Sequence, residues 1–193
     1  ILVQISENAV TAYGLYYKIQ QFILFAAFGL RDAITPIVSF GYGMGSRERV
    51  KQGIKYGMLY TLIIMAAGLV LLEIFAQPFA ALFGLSGETE QLCISAMRVI
   101  SLSFIFAGAN VAFQGIFQAL ESGVQSLVIS VCRQILFVLP VAWGFSLIVK
   151  NSGSTDMMWL VWLTFLIAEG LSAVIAVILM TGISRRRIST LGN

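Results

Sequence analysis

Long apolar stretches, separated by short groups of charged residues and glycines, run through the chain from end to end. The hydrocarbon core of a bilayer is about 30 Å thick, so a helix needs roughly 20 residues to cross it. Five stretches reach that length, at about 12–41, 56–82, 92–119, 125–149 and 157–182. The pattern predicts an all-α fold, a polytopic membrane helix bundle of five transmembrane helices. The connections are short, so consecutive helices are expected to run antiparallel and to pack as neighbours.

The amino-acid composition also indicates a protein that lies in a membrane. Hydrophobic residues make up 59% of the 193 residues, charged residues only 11%, and the mean hydropathy is +0.91. Soluble domains are nearer 45–50% apolar and about 25% charged. So few charges cannot cover a globule in water, and the lipid bilayer is therefore the expected partner of most of the surface.

Catalytic chemistry has little support in the sequence. The chain has no histidine, which excludes imidazole-based triads and most zinc sites. Neither a G-x-x-x-x-G-K-[ST] phosphate loop nor a G-x-S-x-G elbow is present. Asp32 is the only aspartate within a predicted span, so a pair of opposed aspartates is also missing. We expect no enzyme activity, no catalytic residues, no metal and no cofactor.

Basic residues are concentrated at one predicted side of the membrane. Seven of them follow the first and fifth spans: Arg47, Arg49, Lys51, Lys55, Arg185, Arg186 and Arg187. The opposite side carries one basic residue beside four acidic ones: Lys150, Glu7, Glu88, Glu90 and Asp156. Because loops rich in Lys and Arg stay in the cytoplasm, the sequence predicts an outside N-terminus and a cytoplasmic C-terminus in the plasma (inner) membrane. Because this topology accounts for the positions of the basic residues, the net charge of +3 does not indicate a nucleic-acid partner.

Ionisable residues within the spans are the first candidates for function. Counted from the helix ends, Arg133 and Glu169 both fall near the midplane, where an unpaired charge is costly. They either form a structural ion pair between neighbouring helices, or Glu169 binds a coupling ion, H⁺ or Na⁺. Glu73 and Arg98, in the outer third, are further candidates for an ion pair, although long side chains at that depth can also reach water.

Two polar stripes run along the predicted helices. At about 100° per residue, Tyr17, Gln20 and Arg31 lie on one face of the first span together with Tyr13 and Thr35, and Asp32 is one step round. In lipid such a face is unfavourable, so it should line protein or water. The third span carries Asn110, Gln114 and Gln118 at every fourth position, which serves either interhelical hydrogen bonding or a cavity wall. These residues are the candidates for a substrate cavity: Tyr17, Gln20, Arg31, Asp32, Asn110, Gln114 and Gln118.

Several segments resemble one transporter family. The stretch GLRDAITPIVSFGYGMG at 29–45, followed by Arg49-Val50-Lys51, resembles the eighth-helix signature of the multidrug and toxic compound extrusion (MATE) family. Further segments are similar to the family's tenth and eleventh helices in order and spacing: Arg98 to Ser103, Phe117 to Leu120, Ser126-Leu127, Arg133-Gln134 and Pro140. The resemblance covers essentially the whole chain.

The resemblance implies that residues 1–193 are the C-terminal lobe of a twelve-helix transporter, with helices eight to twelve present. The odd span count and the start at Ile1 also indicate a fragment, so the missing N-terminal lobe is an expected partner. By the same resemblance the protein is a secondary antiporter that exports organic, often cationic amphipathic compounds in exchange for H⁺ or Na⁺ by alternating access. A flippase for lipid-linked oligosaccharides, in the same superfamily, is the alternative.

The chain departs from the family pattern at two places. Arg31 and Asp32 stand where many relatives have uncharged residues. One branch of the family carries a coupling carboxylate on the tenth helix. This chain has no acidic residue in the corresponding segment between Cys93 and Ala119. We therefore expect the coupling acid in the missing half, with Glu169 or Asp32 as the substitutes within this chain.

Overall fold

The computed structural model describes residues 2–153 and 157–192, so the predicted loop residue Asp156 lies outside the described part. After a short turn at Leu2–Gln4, the described chain forms seven α-helices and no named strand. Their bounds are α1 Glu7–Gly43, α2 Arg47–Leu82, α3 Gly87–Ser101, α4 Phe104–Ala119, α5 Gly123–Val131, α6 Val138–Ser152 and α7 Trp159–Ile183. Wide π-type turns at Cys132–Leu136 and Ser184–Ile188 follow α5 and α7.

In the described part of the chain, four helical segments are long and apolar enough to cross a membrane: α1, α2, the run Gly123–Ser152 that contains α5 and α6, and Trp159–Ile188. Helices α3 and α4 form a fifth span when they are taken together, with a bend of 52° between them. The predicted all-α membrane bundle is confirmed.

The bend between α3 and α4 was not predicted, because the apolar pattern continues through it. At this point the hydroxyl of Ser101 donates to the Arg98 carbonyl (2.9 Å) and that of Ser103 to the Ile100 carbonyl (2.7 Å). The Ser103 N–H also bonds to the Ile100 carbonyl, at i−3 instead of i−4. Side-chain hydroxyls that bond to the preceding turn compete with the helical ladder and bend it.

Glycines set the distances between the long helices. A Cβ built on Gly57 of α2 would lie 2.5 Å from Cγ1 of Ile34, and one on Gly68 would lie 2.5 Å from Cγ2 of Ile23, so α2 packs closely against α1. On α4, Gly115 faces Arg31 of α1 in the same way. Small residues let helix backbones approach each other in a membrane, where the hydrophobic effect does not drive helices together.

The basic end of the bundle is held together by the C-terminal segment. Nη1 of Arg187 donates to the Tyr42 hydroxyl (3.1 Å) and to Oε2 of Glu121 (2.9 Å), and the Arg47 N–H bonds to the Gly192 carbonyl (3.1 Å). At the other end, the Asn8 amide donates to Glu88 (2.7 Å). The two basic segments therefore lie at the same end, as the topology requires, while the side of the membrane that this end faces stays a prediction.

Candidate functional site

Arg133, Glu169 and Asn110 meet inside the bundle, from three different elements. Oε1 of Glu169 accepts hydrogen bonds from Nε (3.0 Å) and Nη2 (2.5 Å) of Arg133. Oε2 of Glu169 accepts from Nδ2 of Asn110 (2.8 Å), which also bonds to the Glu169 carbonyl (3.0 Å). The structure thus brings Arg133 and Glu169 together as an ion pair, and it adds Asn110 to them.

Local backbone geometry contributes to the position of Arg133. The residue lies in the wide turn Cys132–Leu136, whose last hydrogen bond runs from the Phe137 N–H to the Cys132 carbonyl (3.0 Å). Pro140 follows in the first turn of α6 and has no N–H to donate to the Leu136 carbonyl. A single wide turn accommodates that missing bond, and such turns recur at functional sites.

The electrostatic environment of the pair makes its two members depend on each other. The side chains of Arg133 and Glu169 are each 12% exposed, so neither charge is well hydrated. Charge-assisted bonds to both carboxylate oxygens offset the loss of water. Removal of either partner would leave an uncompensated buried charge, which is the expensive outcome for such pairs.

Further polar groups are buried on α1, α4 and α7 of the bundle. Oδ1 of Asn110 and Nε2 of Gln114 on α4, Oγ of Ser172 on α7 and the Tyr16 hydroxyl on α1 have no hydrogen-bond partner among the described residues. Tyr16 is completely buried, although its hydroxyl is polar. Buried groups of this kind suit ordered water or a small ion. The described residues hold no cluster of three or more His, Cys, Asp or Glu side chains able to bind a metal ion.

The α1 stripe is only partly open, because Tyr13 packs against α7 and Arg31 against α4, whereas Tyr17 and Asp32 are exposed. Arg31 pairs with its neighbour Asp32, with both Nε (2.9 Å) and Nη2 (2.8 Å) near Oδ1, and its guanidinium lies 5.4 Å from the Phe28 ring centre. Asp32 is 67% exposed and Arg31 30%. Tyr17 is exposed and its hydroxyl accepts from Gln21, whereas Gln20 is half-buried. These positions are compatible with a cavity wall, which stays a prediction.

The α4 stripe divides into two parts. Asn110 and Gln114 are buried within the bundle, whereas Gln118 is exposed and donates to Oγ of Ser126 on α5 (3.1 Å). Asn110 and Gln118 thus both bond to another helix. Of the two functions considered for this stripe, the contacts favour interhelical hydrogen bonding.

Glu73 and Arg98 are not brought together. Oε1 of Glu73 lies 3.1 Å from the Ser101 hydroxyl beside the bend and competes with the Arg98 carbonyl for its single proton, and Arg98 is exposed. Within the described residues neither one belongs to an ion pair with a nitrogen–oxygen distance of 4 Å or less.

Tyr16 and Ser172 are the site residues that sequence reasoning missed. Neighbouring Tyr13, assigned to the polar stripe, stacks on Trp162 (5.9 Å between ring centres) and Phe165 (5.7 Å), which holds this part of α1 against α7. Tyr16 is about one turn from Tyr13 and from Gln20, and Ser172 is about one turn from Glu169. The helical spacing was the signal in the sequence that could have pointed to these two residues. It does not show that they are buried, because burial depends on which helix packs against that face.

The helices, the buried ion pair and the two basic segments at one end define a multi-pass membrane protein. Residues 1–143 match the model of the MatE family, and the chain therefore belongs to that family. The resemblance drawn from the 29–45 signature is confirmed.

Two curated relatives illustrate the match. The FAD transporter of Shewanella oneidensis is 26% identical over 142 residues, which cover 74% of this chain and 31% of the relative. The multidrug export protein MepA of Staphylococcus haemolyticus is 23% identical over 180 residues, which cover 92% of this chain and 37% of MepA. The chain thus spans about a third of the length of these relatives.

Solved structures show the same fold. An outward-facing multidrug resistance MATE family transporter of the MOP superfamily superposes with a TM-score of 0.81 at 22% identity, over 95% of this chain and 39% of that one. A MOP superfamily transporter from Pyrococcus furiosus, described as having a binding pocket of reversed polarity that suggests a different function, gives 0.78 at 22% identity over the same shares.

Proposed function

We propose that this chain works as the C-terminal lobe of a secondary multidrug efflux transporter in the plasma membrane. The whole protein exports organic, often cationic amphipathic compounds in exchange for H⁺ or Na⁺, by alternating access. Membership of the MatE family carries the proposal. The likeness to MepA and the fold shared with an outward-facing multidrug transporter support it.

Within that function the residues have separate tasks. The exposed residues Tyr17 and Asp32 of α1, with the half-buried Arg31 beside them, contact the substrate together with the N-terminal lobe. The Arg133–Glu169 pair, buried and bonded to Asn110, stabilises the lobe. The coupling carboxylate belongs to the N-terminal lobe, and Glu169 is the substitute within this chain.

The direct test uses the full-length protein in liposomes made of phosphatidylethanolamine and phosphatidylglycerol. Ethidium serves as the organic cation, and a H⁺ or Na⁺ gradient is imposed across the membrane. We expect ethidium movement against its own gradient under one of the two ion gradients, and none in protein-free liposomes. Failure to move ethidium under both gradients would count against multidrug antiport.

Export of an anionic dinucleotide is a second candidate. It is favoured by the 26% identity to the Shewanella FAD transporter over 142 residues. The flippase has less support, because Arg133 is engaged by Glu169 and Arg31 by Asp32, so neither is free for a lipid-linked sugar phosphate. Competition of FAD and of a lipid-linked sugar phosphate with ethidium separates the three substrates.

Neutralising one member of the Arg31–Asp32 pair will change substrate preference. Asp32→Asn leaves the Arg31 guanidinium without its carboxylate, so the KM for ethidium should rise by about two- to fivefold, as expected for an exposed charge pair. Arg31→Gln leaves Asp32 unpaired and should lower the KM by a similar factor. The measurement is ethidium transport by both variants in the same liposomes. An identical substrate profile would remove both residues from the cavity wall.

A further inference from the structure

A groove separates the second half of α1 from the first half of α2, away from the Arg133–Glu169 pair. It has a volume of about 740 Å³, and its lining is largely apolar. Leu30, Ile37 and Phe40 contribute from α1, and Tyr56 and Tyr60 from α2. Ile37, Phe40, Tyr56 and Tyr60 are each exposed by about half or more, so no other described helix covers the groove.

The depth of the groove comes from small residues on α2. Gly53 and Gly57 both line it, and neither contributes a side chain. A Cβ built on Gly53 would lie 3.1 Å from Cγ2 of Val38, and one on Gly57 would meet Ile34, so the two backbones approach closely at the bottom. The groove is therefore a deep cleft between two membrane helices, with aromatic side chains along one wall, and it is called the cleft below.

One end of the cleft is basic. Arg49 and Gln52 line it there, in the first two turns of α2. Arg49 is exposed and, among the described residues, forms no ion pair within 4 Å. The same end of α2 also carries Arg47, Lys51 and Lys55. The nearest acidic residue in sequence is Glu48, whose carboxylate accepts a hydrogen bond from the Gln52 amide (3.0 Å).

The cleft extends from the headgroup region into the outer part of the hydrocarbon core. Arg49 and Tyr60 are eleven residues apart on α2, which corresponds to about 16 Å at 1.5 Å per residue. The predicted span of this helix begins at about residue 56, so Tyr56 lies at the edge of the hydrocarbon core and Tyr60 about one turn inside it. Arg49 and the neighbouring basic residues then lie outside that edge, on the headgroup side.

We propose that this cleft is a binding site for one anionic glycerophospholipid of the leaflet at the basic end. The phosphate lies at Arg49, and an acyl chain follows the cleft past Tyr56 to Tyr60. Charge complementarity selects the anionic headgroup, because basic pockets between membrane helices attract anionic lipids. The apolar walls explain why a lipid fits better than a soluble phosphate compound. The proposal rests on the membrane location of α1 and α2 and holds whatever compound the protein transports.

Native mass spectrometry of the full-length protein tests this site. The protein is delipidated in detergent and given equal amounts of phosphatidylglycerol and phosphatidylcholine. We expect one retained phosphatidylglycerol per chain in preference to phosphatidylcholine. Arg49→Gln should lower that retention about fivefold, the effect of one basic residue near a membrane surface. Lys51→Gln, which removes a charge of the same turn outside the cleft lining, is the matched control and should leave retention unchanged.

A second variant tests the apolar part of the cleft independently of charge. Ala33 is exposed and lines the cleft, so Ala33→Leu fills it without touching a basic residue. If Ala33→Leu no longer retains phosphatidylglycerol, the proposed site is supported. This result is independent of whether Arg49→Gln folds. Equal retention of the two lipids, an equal effect of Lys51→Gln, or full retention in Ala33→Leu would each overturn the proposal. In the last case another occupant, such as the N-terminal lobe, covers the cleft.

Discussion

Replacing Glu169 with leucine lowers the free energy of unfolding by about 3–5 kcal/mol, the cost of breaking a buried ion pair from one side. The Arg133 guanidinium, whose side chain is only 12% exposed, then has no carboxylate, and the Asn110 amide loses one of its two acceptors. Thermal unfolding of the purified protein in detergent measures the effect. We expect a fall in Tm large enough to reduce the yield of folded protein.

The double variant Arg133→Leu/Glu169→Leu is the control for this prediction. Because both charges are removed together, most of the lost stability should return, since apolar pairs often replace buried ion pairs without penalty. Glu169→Leu, Arg133→Leu and the double variant form a double-mutant cycle, which isolates the interaction free energy between the two side chains. A Glu169→Leu protein as stable as the parent would contradict the burial and pairing of these side chains.

Glu169→Gln separates a structural role from a coupling role. The amide retains the shape of the side chain and can still accept hydrogen bonds, but it carries no charge. If the folded variant transports ethidium with unchanged gradient dependence, Glu169 only stabilises the bundle. Loss of gradient dependence with intact folding would assign the coupling ion to Glu169.

Gly115→Ala is expected to destabilise the protein by about 1–3 kcal/mol, the usual cost of overpacking. A Cβ at this position would lie 2.6 Å from Cγ of Arg31 and 2.9 Å from Oγ1 of Thr35, and 3.3 Å from the Arg31 carbonyl oxygen. The backbone carbonyl cannot move aside as a side chain can, so α1 has to shift away from α4. Thermal unfolding in detergent again provides the measurement.

Gly29→Ala on α1 is the matched control for the Gly115 variant. Among the described residues, no atom outside its own helical turn lies within 4 Å of a Cβ built at Gly29, and alanine favours a helix more than glycine does. We expect this variant to be as stable as the parent or slightly more so. Equal behaviour of the two alanine variants would show that α1 and α4 do not approach each other closely at Gly115.

The membrane fold was predictable because lipid imposes a simple rule on the sequence. A helix must satisfy all its backbone hydrogen bonds internally and present apolar side chains over its whole length, so spans appear as long apolar stretches. The bend at Leu102 and the wide turn around Arg133 were not predictable in this way. Both are changes in backbone hydrogen bonding that leave the hydrophobic pattern intact.

The candidate site could be predicted in part. Arg133 and Glu169 were paired from sequence because two opposite charges at similar depth in a bilayer have few other ways to be stabilised. Asn110 was found as a polar residue, but its bond to Glu169 depends on which face of α4 meets α7. Tyr16 and Ser172 were missed for the same reason, since burial is set by neighbouring helices.

Membrane topology provides the most direct test of the central claim, that the chain crosses the bilayer with both basic segments at its cytoplasmic side. Arg47→Cys, Arg186→Cys and Glu88→Cys are made singly in the full-length protein, with Cys93 and Cys132 replaced by serine. A membrane-impermeant thiol reagent is then applied to intact cells and to inverted vesicles. The account predicts that positions 47 and 186 react only in inverted vesicles and position 88 only in intact cells. Labelling of positions 47 and 186 from opposite sides would contradict it.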